Sequence, residues 1–256
     1  MVTNIVKEPE LYDLLYEDVN ADIPLYIKLT EKYKKIVEFG AGTGRITIPL
    51  ATNNKIILAI DNEERMLKKL KDNAIKTNNS KVIDNIIAVH EDMITYKPEE
   101  KVECVIMPLT VFNYLIEDKE QEDCLKNIYN NILINGGKLI FELLTQKTFK
   151  ELDNKNADYC FIKNIKIDNN TYYEYWRKTN IDKNIITQDR LFKKFKDNKL
   201  VEEKNIFWKN RFVTKEEIEK LLTKNGFKII NIYGNCHNME HYNNVSEDMF
   251  IEAEKI

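Results

Sequence analysis

The residues best spaced to do chemistry are a cluster of glycines and the carboxylates that follow them. Glu38-Phe39-Gly40-Ala41-Gly42-Thr43-Gly44-Arg45 comes after the apolar run Lys35-Ile36-Val37 and leads into a helical segment, Ile46 to Leu50. Glycine reaches positive φ and lets a ligand lie against bare backbone. The N–H groups that open the next helix lack partners and favour electron-rich ligand atoms. Twenty-one residues after Gly40, a second apolar run, Ile56 to Ile60, ends in Asp61. A carboxylate at that offset can accept hydrogen bonds from both hydroxyls of a ribose. Strand, turn, helix, strand and acid together predict a nucleoside-cofactor site.

The glycine spacing narrows the choice of nucleoside. A dinucleotide turn reads G-x-G-x-x-G, its third glycine allowing close helix packing. Here the pattern is G-x-G-x-G, and Arg45 occupies the position of that third glycine. No G-K-[ST] follows, which excludes a P-loop.

The surrounding pattern is one of alternating strands and helices with short links, as in a mostly parallel sheet covered on both faces. Helices are expected at 8–19, 23–33, after Asp61 through Met66, Leu67, Leu70 and Ala74, and at 120–133. Strands are expected at 85–89, 102–107 and 138–144. The pattern then breaks. Residues 159–210 alternate apolar and polar, are rich in aromatics, and are punctuated by Asn169-Asn170 and Lys183-Asn184, which reads as three or four antiparallel strands. The capping box Thr214-Lys215-Glu216-Glu217 reopens the α/β pattern, with strands at 228–233 and 249–253. The expected fold is therefore α/β and Rossmann-like: a mostly parallel seven-stranded sheet with helices on both faces and an antiparallel β insert after the fifth strand. The core comprises 1–146 and 211–256. The insert, 147–210, is expected to act as a substrate lid and dimer contact.

The E-x-G-x-G-x-G turn with an acid after the second strand resembles motifs I and II of the class I S-adenosylmethionine-dependent methyltransferases. Glu10-Leu11-Tyr12-Asp13-Leu14-Leu15-Tyr16 with Asp22-Ile23-Pro24-Leu25-Tyr26 looks like the N-terminal signature of one branch, similar to glycine and amino-sugar N-methyltransferases. The resemblance implies S-adenosylmethionine as cofactor and methyl transfer to a small-molecule acceptor, most readily an amine nitrogen. Small-molecule O-methylation and a cofactor-binding scaffold without activity are the alternatives. It places Gly40, Gly42 and Gly44 against the methionine part of the cofactor, with Arg45 and Tyr16 near its carboxylate, and counts Glu38, Ala41 and Tyr26 among the cofactor-binding residues. Asp61 and Asn62 would take the ribose, and Met66, Asp92, Met93 and Leu109 the adenine and sulfonium surroundings. Met66 reads equally as a core residue, and Asp92 as a helix cap. No [DNS]-P-P-[YF] pattern follows the fourth strand, which counts against an adenine-N6 or protein-glutamine methyltransferase.

Candidates around the acceptor are weaker. Tyr12 and Tyr114 could orient a substrate amine. The loop after the 228–233 strand, with His237 and His241, offers a base, and Asn113, Trp176, Arg177 and Arg211 a substrate mouth. Each also reads as solvated loop or ordinary sheet packing. Cys236, His237 and His241 lack a fourth ligand at suitable spacing, so no metal is expected.

Composition sets the outer bounds. The chain has 256 residues, 43% hydrophobic and 32% charged, with a net charge of −3 and no basic stripe, so nucleic acid is not favoured as a partner. No apolar run approaches the ~20 residues of a membrane span, and no signal-peptide h-region opens the chain. Cys104, Cys124, Cys160 and Cys236 lack C-x-x-C spacing and read as free thiols in a reducing cytoplasm. A monomer or homodimer is expected.

Overall fold

A computed structural model describes residues 3–153 and 158–256. Among the described residues twelve strands form two sheets. The larger contains β2 (Lys35–Phe39), β3 (Ile56–Asp61), β4 (Ile86–His90), β5 (Val102–Met107), β6 (Leu133–Glu142), β11 (Phe227–Tyr233) and β12 (Phe250–Lys255), in the order β11-β12-β6-β5-β2-β3-β4. All neighbours are parallel except at β12, which runs antiparallel to both β6 and β11. The expected seven-stranded Rossmann-like sheet is present, with its last strand reversed.

Alternation along the central strands explains the two buried faces. Val37, Phe39, Val105 and Met107 join one apolar cluster, whereas Ile36, Cys104 and Ile106 join the cluster on the opposite face. Strands buried on both sides need near-continuous apolar sequence, which β3 provides and which β2 and β5 interrupt internally only at Glu38 and Glu103. Helices α2 (Ile23–Leu29), α3 (Thr47–Thr52), α4 (Glu64–Lys76) and α5 (Ser80–Asp84) belong to the N-terminal half. In α4 the positions spaced by three and four, Met66, Leu67, Leu70 and Ala74, are the buried ones. Helix α6 (Asp118–Asn127) begins at a Glu117/Glu120 capping box and ends in a π-helical turn, Ile128–Ile132, so the expected single helix over 120–133 is two segments. Helix α8 (Lys215–Lys224) carries the Thr214/Glu217 box in full, with hydrogen bonds of 2.8 and 3.2 Å.

The second sheet is the interruption seen in the sequence. After α7 (Gln146–Asp153) come β7 (Cys160–Lys166), β8 (Thr171–Asp182), β9 (Ile185–Lys196) and β10 (Lys199–Arg211), each antiparallel to the next. The N-terminal β1 (Thr3–Asn4) adds to β10 in parallel. Helix α1 (Pro9–Tyr16) packs Leu11 and Leu15 into the same cluster as Ile186, Phe192, Ile206 and Trp208, so the chain's first helix belongs with its insert. These two pieces form the cover over the carboxyl ends of the parallel strands.

Candidate active site

A cavity of about 410 Å³ lies between the cover and the sheet. Its floor is the glycine turn. Gly40 and Gly42 have φ of +66° and +56°, a region that L side chains avoid. A Cβ on Gly40 would lie 2.4 Å from Val111 Cγ2, so the close approach of these two segments also demands glycine. Ala41, Asn62, Met66 and Met93 line the same end of the cavity.

Asp61 is 8% exposed and organises this end. Its Oδ2 accepts the Gly42 N–H at 2.8 Å and its Oδ1 accepts the Glu63 N–H at 2.9 Å. The carboxylate thus joins the turn after β2 to the loop after β3, and each oxygen keeps a lone pair for a hydroxyl. Burial raises its pKa, and the two backbone hydrogen bonds oppose that rise. Glu38 also lines the cavity. Burial pushes its carboxyl up to about 8, partly offset by the hydrogen bond from Thr47 Oγ1. Behind it, burial likewise pushes Glu142 up to about 8, and its Oε2 accepts the Leu109 N–H at 3.0 Å.

The segment after β5 forms one wall. Leu109 and Thr110 both sit at positive φ, +50° and +57°. For a β-branched residue that is a strained conformation, of the kind concentrated at functional sites. Leu109 and Tyr114 line the cavity, as do Tyr12 and Tyr16, whose rings lie 4.6 Å apart. The Tyr114 hydroxyl accepts the indole N–H of Trp208 at 2.8 Å, and burial pushes its pKa up to about 12. From the cover come Leu144, Thr148, Leu152, Arg177, Gln188, Arg190 and Trp208.

Several residues expected at the site lie elsewhere. Trp176 is on the face of β8 opposite the cavity, with its ring against Phe161 and its Nε1–H donated to Glu174, because successive strand residues alternate and Arg177 takes the inward position. Arg211 pairs with Asp118 at 2.5 Å and donates to the Ile116 carbonyl. Asn113 is fully buried and joins core to insert, donating to the Arg211 carbonyl and accepting the Leu144 N–H. His237 and His241 are exposed in a loop that folds back on β11 through the Gly234 N–H to Glu240 and Tyr242 N–H to Ile232 hydrogen bonds, and neither lines the cavity. Gly44 packs against Ile48 and Leu70 below the turn rather than lining the main cavity. Tyr26 is wholly buried behind it, edge-on to Phe250. Asp92 caps its own turn through the Ile94 N–H, and its neighbour Glu91 lines the cavity instead. Arg45 does reach the cavity, but its two Nη groups are held by the Asp22 carboxylate at 2.5 and 2.7 Å and by the Val19 carbonyl. Among the described residues there is no metal-ligating cluster.

Gln188, Arg190 and Trp208 went unrecognised at the sequence level. A signal was present. On β9 the buried positions are Ile186, Gln188, Arg190 and Phe192, so a glutamine and an arginine stand on an apolar face. Buried polar residues are the informative departures from the inside-outside rule.

The fold is the Rossmann-like one of class I methyltransferases. Residues 36–137 match the family model for a methyltransferase domain. Over 134 residues the chain is 27% identical to an uncharacterised methyltransferase of Geobacillus sp. strain WCH70, a stretch covering 52% of this chain and 58% of that relative's length. An S-adenosylmethionine-dependent methyltransferase from Clostridium acetobutylicum is 16% identical, with a TM-score of 0.78 over 97% of this chain and 98% of its own. CalS10, an amino pentose methyltransferase from Micromonospora echinaspora, is 14% identical, with a TM-score of 0.73 over 96% and 97%. At such identities the solved structures speak for the fold. The chain therefore combines a methyltransferase-domain match over residues 36–137 with a fold shared by S-adenosylmethionine-dependent methyltransferases. The bare glycine floor and the spare lone pairs of Asp61 suit S-adenosylmethionine.

Proposed function

We propose that the protein transfers the methyl group of S-adenosylmethionine to the nitrogen of a small-molecule amine by in-line displacement. The observation that carries this is the composition of the cavity wall. Among the described residues no histidine, cysteine or lysine lines it, and the carboxylates that do, Glu38, Asp61 and Glu91, stand with the glycine turn and the neighbouring loops rather than on the cover. A neutral amine brings its own lone pair and needs no strong base. A hydroxyl acceptor would need one, and Tyr114, pushed up to about 12, stays protonated near neutral pH.

In this proposal Asp61 and Asn62 hold the ribose, Met66 and Met93 flank the adenine, and the Gly40–Gly42 turn seats the methionine portion. The bound cofactor supplies a methyl group already activated by the sulfonium. The chain's own task is to align the acceptor and exclude water, an effect that contributes about 7–11 kcal/mol in favourable cases. Tyr114, tied to Trp208, and Tyr12 orient the acceptor nitrogen. The cover closes the chamber, which suits a small molecule and not a duplex or a folded protein. The amino pentose methyltransferase among the structural neighbours is consistent with an amine-bearing acceptor. No helix among the described residues is long and apolar enough to cross a membrane.

The test is a screen of amines and matched alcohols with methyl-labelled cofactor. Methylation confined to amines supports the proposal. Methylation confined to hydroxyls would replace it with O-transfer.

A further inference from the structure

The segment after β5 enters the cavity in a conformation that its own residues resist. Leu109 and Thr110 are consecutive non-glycine residues at positive φ, +50° and +57°, and Thr110 is β-branched. The left-handed region crowds Cβ against the following carbonyl, so residues other than glycine seldom occupy it in succession. Thr110 also opens the 3-10 turn Val111–Tyr114, where its side chain caps nothing. Leu109, Thr110, Val111 and Tyr114 all line the cavity. Backbone hydrogen bonds inside the turn, from Val111 to the Pro108 carbonyl and from Asn113 to the Thr110 carbonyl, shape it but do not fix it to the sheet.

The tie to the sheet is a side chain. β5 and β6 pair from Cys104 beside Lys138 to Met107 beside Phe141. Pro108 has no N–H and ends that ladder. The first donor beyond it, the Leu109 N–H, goes to Glu142 Oε2 at 3.0 Å, and Glu142 is the residue after Phe141 on β6. Among the described residues it is the only hydrogen bond that joins Leu109 or Thr110 to another element. The Glu142 backbone is fixed in turn by its pairing with Phe250 of β12, and its side chain does not line the cavity. On the other side of the strained pair, Val111 packs on the glycine turn so closely that a Cβ on Gly40 would meet its Cγ2 at 2.4 Å. Movement at Leu109 is therefore passed to the floor of the cofactor pocket.

We infer that Glu142 is a positioning residue: by holding the Leu109 N–H it keeps the wall after β5 in its left-handed form, with Val111 against Gly40, and so shapes the cofactor pocket without touching the cofactor. This holds whether the methyl acceptor is a nitrogen or an oxygen. Burial pushes the Glu142 carboxyl up to about 8, so near neutral pH it is mostly uncharged, and glutamine copies both its shape and its acceptor oxygen. Methionine copies the length and leaves only a weak thioether acceptor.

Wild type, Glu142→Gln and Glu142→Met, each with and without Thr110→Gly, are compared by thermal melts and by calorimetry with S-adenosylmethionine. Neither measurement needs an acceptor, so the outcome is separate from that of the amine reading. Glu142→Met is expected to weaken cofactor binding about tenfold or more, and Glu142→Gln by no more than about threefold. Thr110→Gly relieves strain that exists only while the wall is held. It is expected to raise the melting temperature by about 2–4 °C in wild type and Glu142→Gln, and by less than half of that in Glu142→Met. Because glycine takes the left-handed form freely, Thr110→Gly should also return part of the affinity that Glu142→Met loses. Equal thermal gains in all three backgrounds would show that Glu142 holds no strain and overturn the inference. Equal loss of affinity in Glu142→Gln and Glu142→Met overturns it too, by assigning the carboxyl to a direct contact with the cofactor, as does unchanged affinity in Glu142→Met. If Glu142→Met alone does not fold, its double variant with Thr110→Gly decides: a folded double variant supports the inference, and an unfolded one overturns it.

Discussion

The indole of Trp208 donates a 2.8 Å hydrogen bond to the hydroxyl of Tyr114, with the two rings nearly perpendicular at 83°. Tyr114 belongs to the turn after β5 and Trp208 to β10 of the insert, so this contact registers the cover against the wall that follows β5. The indole has no second donor, and the tyrosine keeps its own O–H to offer inward.

Tyr114→Phe is expected to lower kcat about 10- to 100-fold, since small misplacements of a positioned acceptor have effects of that order. With its pKa pushed up to about 12 by burial, Tyr114 does not titrate in the working range. The pH profile of the variant should therefore keep the wild-type shape. Loss of an alkaline limb in Tyr114→Phe would show the tyrosine acting as a base.

Gly40→Ala should abolish cofactor binding and destabilise the fold by about 1–3 kcal/mol, because φ is +66° and the new Cβ meets Val111 Cγ2 at 2.4 Å. Adding Val111→Ala removes the clash and leaves the backbone penalty. Thermal melts of the single and double variants should show partial recovery. Full recovery would mean that the clash alone required glycine.

Asp61→Asn is expected to weaken S-adenosylmethionine binding about 10- to 100-fold in calorimetry. The carboxylate accepts backbone N–H groups at both oxygens, from Gly42 and Glu63. An amide can accept at only one end and would point a donor at the other N–H. A fall in melting temperature of the cofactor-free protein should accompany the lost affinity.

Glu38 gives a pH signature. Burial raises its folded pKa to about 8, from an ordinary value of 4.5. The unfolded chain releases that proton first, so this group's contribution to stability falls as the pH rises from about 4.5 to about 8, then levels. Glu38→Gln should gain melting temperature relative to wild type across that window. A cationic cofactor beside Glu38 favours its ionised form, so binding near pH 7 should release protons, measured by calorimetry in buffers of different ionisation enthalpy. The release should shrink in Glu38→Gln.

His237→Ala and His241→Ala should each leave turnover within about twofold, as expected for exposed side chains away from the described machinery. A large loss in either would return the loop after β11 to the site.

Legibility followed the range of the interactions. The glycine turn, Asp61, the capping box at Thr214 and the seven-stranded sheet were readable because each is written in local chemistry: backbone freedom at Gly40, a strand ending in an acid, periodicity switching between two and 3.6. The insert was readable as strands, but its faces were not assigned. Trp176 and Arg177 are both expected at the substrate mouth, but strand alternation lets only Arg177 hold the inward position. Asp92 and Glu91 exchanged places for a similar reason, since one residue of offset turns a side chain from the cavity into its own turn.

By itself, the sequence determined a Rossmann-like core that brings a glycine turn and an acid to the carboxyl ends of β2 and β3. That information is held in residues close along the chain and in backbone conformations that few side chains permit. Only the tertiary structure decided which groups of the insert line the cavity. Arg190 is 174 residues from Tyr16, and Trp208 is 94 from Tyr114. Their meeting depends on the register of four antiparallel strands and on α1 packing with the insert, which no local pattern encodes.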